Sequence, residues 1–127
     1  MFDDLANRKA SIKNNGIKRI EVRIGPVGAA KTLFALRPNL FSPWDTPIYK
    51  KFKLNGDGSG YVSYLTKIQK ELGDLKNSLN ESKLKWEELF KYLGKRHNSY
   101  PKLIDEYYWI TITNQCDPVV IEKLCNS

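Results

Sequence analysis

The residues best suited to chemistry in this 127-residue chain gather in one stretch. Pro26-Val-Gly28-Ala-Ala-Lys31-Thr32 opens an apolar segment, Pro43-Trp44-Asp45-Thr46-Pro47-Ile48 follows it, and Tyr49-Lys50-Lys51 comes last. A tight glycine turn that opens a helix presents backbone N–H groups to which a phosphate can bind. A lysine one turn into that helix can lie near an aspartate at the start of the next. A carboxylate so placed can stabilise a cationic sugar while a flipped base departs, and an amine beside it can attack the sugar carbon. This spacing nominates Asp45 and Lys31 as catalytic residues, with Arg23, Gly28, Lys50, Lys51 and Lys53 as nucleic-acid contacts.

Other templates fail. The one histidine, His97, cannot supply a metal cluster by itself, and no metal or cofactor is expected. No serine-centred nucleophile elbow is present. Gly25-Pro-Val-Gly-Ala-Ala-Lys-Thr32 lacks phosphate-loop spacing, and its proline removes a backbone donor, which argues against nucleotide hydrolysis. Asp57, in the Asn55–Gly60 loop, has neither partner carboxylates nor a closing glutamate at calcium-loop distance.

The stretch from Gly25 to Lys51 resembles the core of the helix-hairpin-helix DNA glycosylases. Their hairpin reads Pro-Gly-Val-Gly-x-Lys-Thr-Ala, and one helix later comes Val-Asp-Thr-His-Val. On that resemblance Gly28 matches a hairpin glycine, Lys31 the hairpin lysine, Asp45 the catalytic aspartate and Thr46 its neighbour. The match covers about a fifth of the chain. It departs from the family where one of two hairpin glycines is kept, where Pro47 stands for the histidine and where Trp44 stands for a small apolar residue. The resemblance implies cleavage of the N-glycosidic bond of a modified or mispaired base.

The same residues also have plainer roles. Asp45 suits the N-cap of a helix that runs to about Phe52, with Pro47 in its first turn, where a missing N–H costs nothing. Lys31 suits a solvated lysine, and Trp44, beside Leu40 and Phe41, a core residue.

The rest of the chain supplies the scaffold. Asp3 to Ile12 reads as a short polar helix stopped by Asn14-Asn15-Gly16, and Ile17 to Ile24 is ambiguous between strand and helix. Val27–Leu36 is a buried helix ended by Arg37-Pro38-Asn39, and Asn55–Gly60 a flexible loop. Tyr61, Tyr64, Leu65, Ile68 and Leu72 mark a helical face, and Leu84, Trp86, Leu89, Phe90 and Leu93 another. Ser99 caps a helix with Leu103, Ile104, Tyr107 and Tyr108, and Asp117-Pro118 starts a last one. The expected fold is a single mainly α domain over residues 1–127. It is a compact bundle of five to seven helices with at most one short strand or hairpin near residues 17–24.

Charge is divided unevenly. Residues 1–53 hold eleven lysines and arginines against four acids, which accounts for the whole net charge of +7. The remainder is neutral. Such asymmetry points to a polyanion, with DNA the expected partner and a protein partner the other option. No apolar run is long enough for a bilayer, and no basic-then-apolar leader opens the chain, so a cytoplasmic location is expected. Cys116 and Cys125, on one helix, would lie about 13 Å apart along its axis, too far for a disulfide. Two functions compete: a divergent base-excision domain, and a non-catalytic nucleic-acid-binding or protein-interaction module. The oligomeric state is left open.

Overall fold

A computed structural model describes residues 1–14, 16–94 and 99–116. The elements are α1 (Phe2–Ala6), β1 (Lys9–Asn14), β2 (Arg19–Arg23), α2 (Gly25–Leu36), α3 (Thr46–Lys51), α4 (Gly58–Glu81), a 3-10 turn (Trp86–Glu88), α5 (Leu89–Tyr92) and α6 (Tyr100–Tyr108). A π-helical turn, Trp109–Thr113, continues α6. The fold is mainly α, with one antiparallel two-stranded sheet. His97, Cys125 and the expected helix at Asp117-Pro118 lie outside the described residues.

The core is aromatic and centres on Trp44, which is 1% exposed. Phe2 meets it edge-on at 5.9 Å, and Tyr49, Tyr61 and Tyr64 lie at 4.7, 5.1 and 5.4 Å between ring centroids. Offset and edge-to-face rings of this kind add to the gain from burial alone. Ala29, Ala30 and Leu33 of α2, Ile48 of α3 and Ile68 of α4 complete the cluster. The small residues Ala29 and Ala30 let α2 approach closely, and α1 lies against it. Phe52 and Tyr108 meet at 4.9 Å and extend the aromatic contacts toward α6.

Segment 37–45, between α2 and α3, has no regular structure and enters the core at residues 42–44, whose backbone carbonyls need partners from elsewhere. The Tyr61 hydroxyl donates to the Ser42 carbonyl at 2.7 Å and the Tyr64 hydroxyl to the Pro43 carbonyl at 3.1 Å. The Ser99 hydroxyl donates to the Pro38 carbonyl at 2.6 Å. The Ser42 hydroxyl reaches the Pro101 carbonyl, and Trp44 Nε1 reaches the Pro26 carbonyl, both at 3.2 Å. Burial pushes both tyrosine hydroxyls far above their usual range, so they remain donors.

The helix starts follow capping chemistry. Asp45 accepts from the Ile48 N–H at 3.0 Å and Ser99 from the Lys102 N–H at 3.2 Å, as the sequence suggests. Asp57 does the same for Gly60 at 2.8 Å, and Asp3 of α1 adds a second carboxylate by accepting from the Gly58 N–H at 2.8 Å. These bonds correct one expectation: the flexible loop ends at Asp57, and Gly58–Gly60 are the first turn of α4. Gly60 is there of necessity, because an added Cβ would fall 1.9 Å from the Asn55 carbonyl oxygen.

Three other expectations change. The first helix stops at Ala6, and Lys9–Asn14 instead pair with Arg19–Arg23, Ile12 opposite Glu21 and Lys13 opposite Ile20. Ile12 is half exposed, so it offers no apolar contact that would prolong a helix. The ambiguous segment 17–24 is thus the second strand of a hairpin, over Arg19–Arg23. The expected continuous helix over Leu84–Leu93 is a 3-10 turn followed by the single turn α5. Its apolar residues serve different neighbours: Trp86 stacks on Tyr100 at 4.2 Å, Leu89 and Phe90 turn inward, and Leu84 and Leu93 stay exposed.

Two substitutions test this packing in thermal or denaturant unfolding. Trp44→Ala is expected to destabilise the fold by about 3–5 kcal/mol, the cost of truncating a buried large aromatic. Gly60→Ala forces a methyl into backbone and is expected to cost at least about 1–3 kcal/mol. A wild-type midpoint for either variant contradicts the corresponding contact.

Candidate functional site

Lys31 and Asp45, fourteen positions apart in sequence, line the same cleft of about 290 Å³. Its other walls are Pro43 and Trp44 from the clamped segment and Lys102, Asp105, Glu106 and Trp109 from α6 and the turn that continues it. Two lysines and three acidic residues therefore border one cleft, beside an indole that is 49% exposed. The volume is close to the ~300 Å³ at which small-molecule sites begin. A larger hollow of about 560 Å³, walled in part by Phe34, Ala35 and Pro38, shares Lys102 and Glu106 with the cleft and adjoins it. Together they form a groove between α2 and α6, polar at one end and apolar at the other.

Local structure fixes each group. Asp45 is held at both carboxylate oxygens: Oδ1 accepts from the Ile48 N–H at 3.0 Å and Oδ2 from the Thr113 hydroxyl at 2.7 Å. Thr113 arrives because the helix widens beyond Tyr108, with the Asn114 N–H reaching back five residues to the Trp109 carbonyl at 2.9 Å. Such π turns recur at functional sites. Lys31 projects from α2 and is exposed. Asp105 is only 5% exposed and accepts from the Lys102 ammonium at 2.5 Å. Desolvation raises its affinity for a proton most; the bonded Lys102 opposes this, and the negative charge of Asp45, then that of Glu106, adds to it.

The other nominated residues lie elsewhere. Arg23 sits at the base of the hairpin, where it donates to the Asn7 carbonyl at 3.2 Å and faces Glu21 at 3.7 Å. Gly28 is inside α2, where a Cβ would fall 2.7 Å from the Ile24 side chain; close packing accounts for this glycine. Residues 25–28 form the first turn of α2, entered directly from β2, so no helix-hairpin-helix unit is built from them. Lys50 and Lys51 occupy the last turn of α3, at the opposite end from Asp45, and are exposed. Lys53 follows in the left-handed conformation with φ 55°, and its N–H bonds the Lys50 carbonyl while the Leu54 N–H bonds that of Tyr49. These bonds form a helix stop. None of these five residues lines the cleft.

Sequence reasoning missed the wall contributed by α6. A signal for it existed: Lys102, Glu106 and Trp109 follow the i, i+4, i+7 spacing of one helical face. Trp44 proves to be core, as its neighbours suggested, and is not a free stacking surface. Among the described residues, no cluster of three or more His, Cys, Asp or Glu is arranged to hold a metal, and no helix is long and apolar enough to cross a membrane. The fold and site thus define a mainly α chain with a mixed-charge cleft at the start of α3. Comparison with known protein families, curated proteins and solved structures finds no match to the chain.

The burial of Asp105 has a pH signature. The folded chain binds this proton more tightly than the unfolded one, so stability is expected to fall as pH rises from the usual aspartate value of 3.8 through the raised folded value. Asp105→Asn should remove that slope from a plot of unfolding free energy against pH. An unchanged slope in the variant would assign the effect to another group.

Proposed function

We propose that the chain is a DNA-associated domain that cleaves the N-glycosidic bond of a damaged or mispaired base in the cleft at Asp45. The observation that carries this reading is that Lys31 and Asp45 line one cleft, beside a partly exposed tryptophan. It rests on the cleft and not on a hairpin. In this mechanism an extruded base stacks on Trp109, since enzymes acting on bases must take them out of the helix. The electron pair of the breaking sugar–base bond leaves with the base, which takes up a proton. The cationic sugar is stabilised by the Asp45 carboxylate, whose orientation is set in advance by Ile48 and Thr113. Water, or the Lys31 amine, then adds at the sugar carbon and releases a proton.

The clamp on Asp45 makes a clean test possible. Asparagine keeps a carbonyl oxygen for the Ile48 N–H, and its amide can donate to the Thr113 hydroxyl in place of accepting from it. Asp45→Asn is therefore expected to leave the unfolding midpoint nearly unchanged while abolishing base release, because a neutral amide stabilises a sugar cation much less. The measurement is single-turnover excision over a panel of damaged and mispaired duplexes, wild type beside variant. If wild type releases no base from any of them, the catalytic proposal fails, and a non-catalytic nucleic-acid-binding module takes its place.

A further inference from the structure

The cleft leaves the most basic part of the molecule unused. Between Arg8 and Arg23 stand six cations and one acid, Glu21. Every strand residue of the hairpin is exposed except Val22, which is half-buried, so both faces of the ribbon are open. The single acid sits near the base: Lys9 lies 3.8 Å and Arg23 3.7 Å from the Glu21 carboxylate. Toward the tip, Lys13, Lys18 and Arg19 form no ion pair among the described residues. The turn passes through Gly16 at φ 75° and presents Ile17, which is 100% exposed. Ile12, opposite Glu21, and Ile20, opposite Lys13, are about half exposed on the two different faces of the ribbon.

We propose that this hairpin is an arm that enters the major groove of duplex DNA, with Lys13, Lys18 and Arg19 on the phosphates and Ile17, at the tip, toward the base edges. The assignment rests on the nucleic-acid part of the reading above and is independent of catalysis. Geometry selects the partner. A two-stranded ribbon fits the B-form major groove, about 12 Å wide, whereas the narrow major groove of A-form RNA does not admit it. Six strand residues at about 3.4 Å each make β1 roughly 20 Å long, enough to cross that groove. Isoleucine cannot hydrogen-bond a base edge, but it can contact the thymine methyl group, which lies in the major groove. A second copy of the chain is a poor occupant, because unpaired cations at the tip of each arm repel one another and lysines on an edge strand oppose edge pairing.

The test is fluorescence anisotropy on an undamaged labelled duplex across a salt series. It compares wild type, the arm variant Lys13→Ala/Lys18→Ala/Arg19→Ala, and the charge-matched variant Lys70→Ala/Lys76→Ala/Lys91→Ala. The substituted arm residues are exposed, and thermal unfolding of all three proteins checks that the body is unchanged. Each phosphate contact contributes about 0.9 to the slope of log affinity against log salt. The arm variant should lose two to three units of slope and at least tenfold in affinity near physiological salt, and the charge-matched variant should lose little. Equal losses in the two variants, or none in either, overturn the arm while leaving DNA binding intact. Equal affinity for an A-form RNA duplex, or tighter binding to anionic vesicles, overturns the groove assignment. Salt-dependent binding through the arm without base release from any lesion supports the arm and removes excision. Absence of binding by wild type removes the nucleic-acid reading itself.

Discussion

A buried stretch without regular structure must have its carbonyls satisfied from outside, and much else in this fold depends on how residues 42–44, within the link from α2 to α3, meet that demand. Tyr61 and Tyr64 bring hydroxyls from α4 to the carbonyls of Ser42 and Pro43, and Ser99 at the start of α6 reaches Pro38. The segment is thereby sewn to two helices that are distant in sequence. An unpaired buried carbonyl costs more than a made bond contributes, so deleting one hydroxyl damages more than a single contact. Trp44 packs on the same tyrosines and donates back to Pro26, which ties α2 to the arrangement. Asp45 is the next residue along, and its placement is a by-product of that anchoring.

The cleft joins two kinds of order. On one side, Asp45 is gripped by a backbone amide and a threonine hydroxyl, so its carboxylate is held in one orientation. On the other side, Lys31 and Trp109 project from rigid helical elements while remaining accessible. Fixed charge thus lies beside accessible side chains in one cleft.

Much of this was readable where local chemistry decides structure. The caps at Asp45 and Ser99, the break after Leu36 and the inward face of α4 follow from residue type and spacing, and the burial of Trp44 follows from its apolar neighbours. The hairpin was half readable: Ile20, Val22 and Ile24 alternate as a strand does, but Ile17, Ile20 and Ile24 also suit a helix, and the partner strand Lys9–Asn14 read as helix because its residues never enter the core. The loop over Asn55–Gly60 looked flexible because glycine is permissive. Here Asp3, from the far end of the chain segment, turns part of that loop into helix. The bond from Thr113 to Asp45 depends on a widened helical turn, and nothing in Trp-Ile-Thr-Ile-Thr announces one. Long-range docking decided what local pattern could not.

The hydrogen bond between Asp3 and Gly58 joins positions 55 residues apart. Drawing such distant segments together has an entropic cost that grows with the logarithm of the intervening length, and it is met only once the core between them has condensed. The bond thus makes α1 a latch on the start of the longest helix. Slow exchange of the Gly58 amide proton would report that the first helix has locked onto α4, and the peak from that one amide could follow the docking of the chain's first residues separately from the rest of the fold.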